Sequence, residues 1–519
     1  MKTKNFLKLW PWVGSVMSVM VFGSCAGPSP VYTSTKPFRT TLEAEALKMG
    51  ETSKTDAAVW KDPEDGRPYM GFVEVDDHGE LCSLEQLRMV SATVEQAAKR
   101  AKIFHLIVFA HGWENNASPY NEENGNLKNF TKTIKAMRED PAHRKAGVEV
   151  MGVYVGWRGK TVGLELPAWA GLPMKVDFYH GMARAERVGK GVGITHALYD
   201  LSGSARKHRP ASSRVIFVGH SFGAIVMENA INKAMASNLV RVASAGSSEK
   251  VVPPADLILL VNSAQTSIIS KQFVDMLRTL EKDKGFALKA DGRESNHRFP
   301  LIVSATSEKD SATSFWFPTG IVVGRYIMRF SNTGVAGHYR SDYKRDGYTK
   351  SQNYTHRHTA GHNEGLFSHS VVESNETSGG TARAEYVRRY PGYPSVDDRV
   401  MAISSNQHYR SNVRSDGSIL IRGINKDYLM RAGDEKDTYN RTPFWITQMP
   451  ASMVKSHGGI WTEEFAGFAT AMLHLALAPP TQRRAPRAGE RAMGAETMGV
   501  DVEEMSSRTS LPQLYFQKR

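Results

Sequence analysis

Residues 212–232 read SSRVIFVGHSFGAIVMENAIN, and this stretch decides how the rest of the chain is interpreted. An apolar run ends at Val218, the pattern Gly-x-Ser-x-Gly follows at 219–223, and apolar residues then recur at helical spacing. A turn between strand and helix can lift a serine hydroxyl out of the edge of a sheet. The pattern alone is weak, because glycine makes up 44 of the 519 residues. A serine that only caps the following helix is the structural alternative.

Apolar, β-branched runs and helical patterns alternate on both sides of this stretch. Continuous apolar runs are typical of strands that are buried on both faces of a parallel sheet. We predict strands at 68–75, 103–110, 148–157, 214–219, 256–264, 299–306 and 442–450, and helices at 83–101, 126–139, 182–206, 222–236, 269–283 and 462–478. The alternation predicts an α/β protein with a mostly parallel sheet and helices on both faces.

Changes in composition divide the chain into six parts. Residues 1–25 are a predicted signal peptide, 26–65 an N-terminal tether, and 66–318 the α/β core. Residues 319–440 are rich in Gly, Ser, Asn, Arg, Tyr and His without clean periodicity, which predicts a large insertion, a lid or cap, before the last strand. Residues 441–479 return to the core, and 480–519 are predicted to be a disordered tail.

The first 25 residues have the organisation of an export signal. Lysines at positions 2, 4 and 8 precede the apolar run LWPWVGSVMSVMVF, and small residues follow. The run is too short to span a bilayer comfortably. Its end, Phe22-Gly23-Ser24-Cys25, resembles a bacterial lipobox, in which the cysteine carries the lipid. We therefore expect an exported protein that is anchored to a membrane through Cys25, with ordinary cleavage to a periplasmic or secreted form left open.

The chain is basic, with a formal net charge of +13 and an isoelectric point near 9.4. Such a charge favours anionic surfaces, but the basic residues are spread along the chain and form no nucleic-acid-binding motif. A solvated basic surface is the simpler interpretation, and we expect no nucleic-acid partner. Cys82 is the one cysteine besides Cys25, so a lipid on Cys25 excludes an intramolecular disulfide. The oligomeric state is left open.

Three further segments place polar residues directly after predicted strands. AHGWENNA, 110–117, lies upstream of the serine, and its Gly112 lets the backbone approach a substrate. VSATSEKDSAT, 303–313, offers Glu308 and Asp310 as acids. SHGGIW, 456–461, places His457 on a glycine-flanked loop. Serine, acid and histidine follow one another in the chain order of α/β-hydrolases.

On these segments, together with FVEVDDHGEL, VYVGWRG and LVNSA, the chain resembles the α/β-hydrolase superfamily. Within it the chain is similar to a largely uncharacterised group of exported, esterase-like proteins, from about residue 70 to 475. The resemblance implies the α/β-hydrolase fold and hydrolysis of a small-molecule or lipid ester. It implies Ser221 as the nucleophile, His457 as the general base and Asp310 as the acid that orients the histidine. Glu308 is then a loop or surface residue.

The same resemblance implies an oxyanion hole formed by the N–H groups of Phe222 and Trp113. Gly112 and His220 are predicted to contact the substrate. His111, although it stands beside these residues, is expected to be structural rather than catalytic.

Other functions on the same scaffold stay open at the level of sequence. A catalytically silent member would bind a ligand or partner through the same cleft, and an acyltransferase or amidase would use the same three residues. The implied chemistry needs no cofactor. The histidines of YTHRHTAGHNEGLFSH, 354–369, match no known ligand spacing and have no partner cysteines, so no metal site is predicted.

Overall fold

The structure, a computed structural model, describes residues 57–119, 125–159, 176–210, 212–244, 253–284, 300–318, 355, 357–374, 412–413, 418–422, 426–432 and 442–477. The predicted signal peptide with Cys25, most of the predicted tether and the predicted tail at 480–519 lie outside these described residues.

The strands of the described residues form one sheet. They are β1 (Val59–Lys61), β2 (Pro68–Glu74), β3 (Ile103–Ala110), β4 (Val148–Gly156), β5 (Ser213–His220), β6 (Leu257–Val261), β7 (Ile302–Ser307), β8 (His369–Glu373), β9 (Asn412–Val413), β10 (Ile419–Arg422), β11 (Asp427–Ala432) and β12 (Phe444–Met449). Their order in space is β1-β2-β4-β3-β5-β6-β7-β12-β8-β11-β10-β9. Every pair from β2 to β8 in this order is parallel, and the pairs outside it are antiparallel.

Helices cover both faces of this sheet. They are α1 (Leu84–Arg100), α2 (Gly125–Glu139), α3 (Pro141–Ala146), α4 (Val176–Lys190), α5 (Val192–Arg206), α6 (Phe222–Ser244), α7 (Ser267–Lys284) and α8 (Glu463–Leu477). Alternate residues of one strand point to opposite faces, so Val108 packs in the core that α1, α5 and α6 share, while Phe109 packs with α2. The predicted mixed α/β architecture with a mostly parallel sheet is confirmed.

Helix α1 illustrates how local sequence starts and ends these elements. Ser83 caps its N-terminus, because the serine hydroxyl accepts a hydrogen bond from the N–H of Gln86 at 3.1 Å. Lys99 and Arg100 lie in the last turn, where cations oppose the negative end of the helix dipole. Its apolar side is buried against β2 and α5.

Several boundaries differ from the predicted ones. β1 lies within the predicted tether, because Trp60 is buried and its ring packs 4.7 Å from that of Phe72. The helix predicted over 182–206 is two helices that break at Gly191, where a side chain would meet the carbonyl of His78 at 2.3 Å. Of the helices that the described residues form, none is long and apolar enough to cross a bilayer.

The region predicted as a lid or cap has a different architecture where it is described. Strands β8 to β11 come from it, and they extend the sheet beyond β12 rather than covering the strand ends. β8 pairs in parallel with β12, and β11, β10 and β9 follow antiparallel. The sequence did not predict these strands individually, because they are only two to six residues long and carry no clear alternation. The remainder of 319–440 falls outside the described residues, so the lid or cap stays a prediction.

Candidate active site

The turn between β5 and α6 holds Ser221 in a conformation that few side chains adopt. Its φ is +57°, in the left-handed region that is costly for a residue with a Cβ. The N–H of Ser221 donates to the carbonyl of Val261 at 3.0 Å, and its own carbonyl accepts from the N–H of Ala224 at 3.1 Å. The turn is therefore fixed both to the neighbouring strand β6 and to the start of α6.

Glycines make this turn sterically possible. A methyl group on Gly223 would lie 2.1 Å from the carbonyl oxygen of Ala110, and one on Gly219 would lie 2.6 Å from the Cα of Ala224. Backbone packs directly on backbone at both positions, so no side chain larger than hydrogen fits. Gly223 thus lets the serine turn rest on the end of β3, and Gly219 lets β5 approach the first turn of α6.

The segment after β3 passes across the serine. A methyl group on Gly112 would lie 3.1 Å from the Cβ of Ser221. The N–H of Gly112 donates to the side-chain oxygen of Asn126 at 3.0 Å, and Asn115 donates its side-chain N–H to the carbonyl of Trp113 at 2.7 Å. Gly112 therefore lies close to Ser221, and its contact with a substrate stays a prediction.

Three side chains that are remote in sequence form one hydrogen-bonded chain. The hydroxyl oxygen of Ser221 lies 2.7 Å from Nε2 of His457. Nδ1 of His457 lies 2.9 Å from each carboxylate oxygen of Asp310. The arrangement suits an Nδ1–H that donates to the acid, which leaves Nε2 free to accept the serine proton. The structure brings the three predicted residues together at the C-terminal ends of β5, β7 and β12.

Asp310 is fully buried, yet its surroundings favour the charged form. Burial raises the pKa of this carboxyl group, but hydrogen bonds from His457 and Thr313 and the charge of His457 outweigh it and lower the pKa overall. Backbone N–H groups of Ala312 and Thr313 donate to Oδ1 at 3.0 and 3.2 Å. The acid is therefore ionised at neutral pH. Glu308 is exposed and accepts the N–H of Ala451 at 3.2 Å.

The backbone of the histidine loop is held by donors from two neighbouring strand ends. Nε2–H of His220 donates to the carbonyl oxygen of His457 at 2.9 Å, and Nδ2 of Asn262 donates to the same oxygen at 2.7 Å. Asn262 also donates to the carbonyl of Ser456 at 3.2 Å and accepts from the N–H of Ser307 at 2.9 Å. Asn262 itself has a φ of +47°.

His220 contacts the backbone of the histidine loop, whereas the sequence predicts a contact with the substrate. It is 5% exposed, and its bond to the histidine loop occupies the ring nitrogen nearest that loop. Burial, followed by the charge of His457, lowers the pKa of His220 to about 3, so the ring is neutral at physiological pH. Substrate contact by His220 remains a prediction.

Both ring nitrogens of His111 form hydrogen bonds with neighbouring backbone, and its structural role stays a prediction. Its Nδ1–H donates to the carbonyl of Gly112 at 2.9 Å, and its Nε2 accepts the N–H of Trp157 at 3.1 Å. The ring stacks on the Trp157 ring at 5.2 Å, and burial lowers its pKa to about 4. A neutral imidazole therefore ties the Gly112 segment to the end of β4.

An aromatic cluster adjoins the serine on the side of α4. The ring of Phe178 lies 5.0 Å from that of Phe222 and 5.5 Å from that of Trp113. Phe222 is buried, whereas Trp113 and Phe178 are partly exposed. Phe222 is the first residue of α6, so its N–H is one of the donors that a helix leaves without an internal acceptor. Trp113 and Phe222, whose N–H groups are the predicted oxyanion donors, therefore have their side chains in an apolar aromatic cluster.

The histidines of 354–369 have separate surroundings. His362 reaches the hydroxyl of Thr313 at 2.9 Å, and His369 stacks on Trp445 at 3.9 Å. His356 lies outside the described residues. Among the residues that are described, no group of three or more His, Cys, Asp or Glu is placed to hold a metal ion.

Sequence reasoning missed Asn262, Asn126, Thr313 and His362, which all contact the site. Asn262 stands inside LVNSA, directly after the observed strand β6, but the predicted strand ran on to residue 264 and so hid this position. The other three carry no pattern that marks them.

Neither a scan against protein-family models nor a search of curated proteins finds a match for this chain. Function is therefore inferred from the geometry of the site.

Proposed function

We propose that this protein is a serine hydrolase of the α/β-hydrolase fold that cleaves carboxylic esters through an acyl-enzyme intermediate. The observation that carries the proposal is the continuous contact from Ser221 through His457 to Asp310, with distances of 2.7 and 2.9 Å. Serine hydrolases need this order of hydrogen bonds, because the histidine must accept the serine proton while the acid holds its other nitrogen.

The position of each residue in the sheet supports this fold assignment. The serine lies between a parallel strand and the helix that follows it, the acid follows β7 and the histidine follows β12. This chain order, and a serine on a sharp turn at the C-terminal edge, are features of α/β-hydrolases. A serine that merely caps α6 would need neither a φ of +57° nor a histidine at 2.7 Å.

The first half of the reaction transfers the acyl group to the enzyme. Oγ of Ser221 attacks the carbonyl carbon of the ester as Nε2 of His457 takes the hydroxyl proton. The negative charge that develops on the carbonyl oxygen is stabilised by the N–H groups of Phe222 and Trp113, and losing one such donor costs roughly 3 to 4 kcal/mol. The imidazolium of His457, stabilised by Asp310, then protonates the leaving alkoxide as the carbon–oxygen bond breaks.

The second half releases the acid. Water attacks the acyl carbon, His457 takes one proton from that water, and the proton returns to Oγ of Ser221 as the acyl–serine bond breaks. The ionised state of Asp310 matters in both halves, because each passes through a positively charged His457.

The aromatic cluster of Trp113, Phe178 and Phe222 supports an ester with an apolar group on that side of the serine. Apolar and aromatic side chains around a few polar groups are the usual lining of a small-molecule site. The choice of ester over amide rests on the resemblance in sequence, and it is part of the proposal.

A fluorophosphonate probe tests the proposal directly. We expect the purified protein to be labelled on Ser221 and Ser221→Ala to lose all labelling, while both give the same circular dichroism spectrum. Release of p-nitrophenol from p-nitrophenyl esters should fall by about 10⁴-fold or more in the variant. Undiminished labelling of the variant would overturn the nucleophile, and wild-type protein that is not labelled would favour a silent binding protein. Labelling without ester turnover would favour an amidase. Ester formation with an added alcohol would reveal an acyltransferase.

A further inference from the structure

His362 belongs to the region between β7 and β12, yet it lies against the acid of the proposed site. It ends a short 3-10 turn, Ala360–His362, that is attached to the core. The N–H of Ser267 donates to the carbonyl of His358 at 2.8 Å, and the side chain of Asn363 donates to the Ser267 hydroxyl at 3.0 Å. These bonds fix the turn on the N-terminus of α7.

The link from His362 to the acid passes through Thr313. Nε2 of His362 lies 2.9 Å from the Thr313 hydroxyl oxygen, and that hydroxyl lies 2.5 Å from Oδ2 of Asp310. A hydroxyl has one proton, and the ionised carboxylate can only accept, so the threonine proton points to Asp310. The threonine oxygen must then accept from Nε2–H of His362, which assigns the protonated nitrogen of this histidine.

We propose that His362 is a positioning residue for Asp310 and acts on the acid through the Thr313 hydroxyl. The inference rests on the proposed hydrolase function and deepens it, since the region that interrupts the core would then contribute to turnover. Thr313 is completely buried, so no water competes for its hydroxyl. Polarised by the histidine, the hydroxyl makes a stronger bond to Oδ2 and keeps the carboxylate plane in line with His457.

A purely structural contact is the alternative. Thr313 lies in the irregular turn Ala312–Trp316, and its N–H already donates to the Asp310 carboxylate. In that case a loss of His362 would lower the stability of the protein and leave the chemistry of the folded fraction unchanged. The two interpretations therefore differ in kcat and in pH dependence, measured on protein that is shown to be folded.

A double-mutant cycle separates them. We expect His362→Leu and Thr313→Val each to lower kcat for a p-nitrophenyl ester by about tenfold, well short of the ~10⁴-fold that loss of an orienting acid can cost. KM should stay within about twofold, because substrate binding is untouched. The double variant should be no slower than either single one. His362→Gln, which can still donate from its amide, should restore most of the rate, and exposed Glu364→Gln is the control in the same segment.

The acid side of the pH–rate profile gives a second readout. The ionisable groups that face His362 are Asp310, His358 and His457. Without the polarised hydroxyl, Asp310 keeps more negative charge for the imidazolium of His457, so the acid limb of kcat should move to higher pH in His362→Leu. Losses that add in the double variant, or a reduced stability with unchanged kcat and acid limb, would overturn the inference.

Labelling by the fluorophosphonate keeps the two proposals distinguishable. Wild-type protein that is labelled on Ser221 but shows additive losses refutes only the role of His362. Wild-type protein that is not labelled refutes the hydrolase proposal and the role of His362 with it.

Discussion

The serine turn and the histidine loop each hold one residue of the candidate site in place, but different interactions fix the two segments. At the serine turn, backbone lies on backbone, and a methyl group on Gly223 would come within 2.1 Å of the Ala110 carbonyl. At the histidine loop the space beside Gly458 is open, since a methyl group there would meet nothing within 4 Å. The turn is therefore shaped by steric exclusion within a short stretch of chain.

The histidine loop is shaped by hydrogen bonds from distant side chains. His220 and Asn262, at 2.9 and 2.7 Å, both donate to the carbonyl oxygen of His457. A close-packed turn fails when volume is added, whereas a loop held by donors fails when a donor is lost. Each of the following changes tests one side of this difference, from the largest expected effect on turnover to the smallest.

Gly223→Ala should abolish turnover, because the new methyl group cannot be placed without moving β3 away from the serine turn. Overpacking of this kind costs about 3 kcal/mol or more where the obstacle is backbone. Gly458→Ala is the matched control in the histidine loop and should keep nearly full activity. Urea unfolding and p-nitrophenyl ester assays measure both effects. Equal losses in the two variants would break the comparison.

Asp310→Asn should lower turnover by at least about a hundredfold, since the amide favours the wrong tautomer of His457. Glu308→Gln should change turnover by less than about tenfold, because its carboxylate is exposed and accepts the N–H of Ala451 away from the histidine. Both replacements are isosteric, and thermal melts should show that both variants fold. A crippled Glu308→Gln enzyme would mean that the acid is misassigned, although Ser221 and His457 could stand.

Asn262→Asp should slow turnover by about tenfold, in line with a small displacement of a catalytic group. The aspartate can still accept from the N–H of Ser307, but it cannot donate to the carbonyl oxygens of Ser456 and His457 and instead repels them. Assays of kcat beside Asn129→Asp, which makes the same change on α2, measure the effect. A rate equal to that of this control would show that the loop does not depend on its donors.

Glu228→Gln should leave turnover within about twofold. Steric contacts of the backbone hold the serine turn, and the charge of this buried carboxyl group in α6 does not. Burial raises the pKa of Glu228 from 4.5 to about 7. A raised folded-state pKa means that its stabilising contribution is present below about pH 4.5 and lost as the pH rises through about 7. The free energy of unfolding of the variant should match that of the wild type near pH 4.5 and exceed it at alkaline pH by up to about 3 kcal/mol.

Urea unfolding on both sides of this pH window measures the difference, with exposed Glu364→Gln as the control. A variant that is less stable at every pH would show that the hydrogen bonds from Ser270 and Asn232, at 2.6 and 3.5 Å, require the carboxyl group itself.

The same difference explains which parts of the site could be predicted from sequence. Ser221 could be found because glycines, strand and helix are contiguous in the chain. Asp310 and His457 lie on the loops that follow β7 and β12, and the resemblance in sequence singled them out there. Asn262 and His220 reach the His457 carbonyl across separations of 195 and 237 positions. A bond between a side chain and a distant carbonyl leaves no local pattern, so these supports appear only in three dimensions.

The same distinction between local patterns and distant contacts explains which parts of the fold could be predicted. The long buried strands β3 to β7 were predicted because continuous apolar runs are a strong signal, and the alternation with helices gave the parallel sheet. The short outer strands were not predicted, because pairing with neighbouring strands, and not a pattern in their own sequences, keeps them extended. The break between α4 and α5 depends on Gly191 approaching His78, again a contact that sequence periodicity does not contain.

The place of β12 in the sheet has a consequence for how the molecule is assembled. It is the last strand in the chain, yet it lies between β7 and β8, so the outer strands join the sheet only through it. Closing the 147-position loop from Asp310 to His457 costs chain entropy that earlier strands do not incur. During synthesis from the N-terminus, Ser221 and Asp310 would lack their contacts with His457 until this strand is inserted. A premature stop before residue 444 would therefore remove the histidine and detach the outer sheet in a single event.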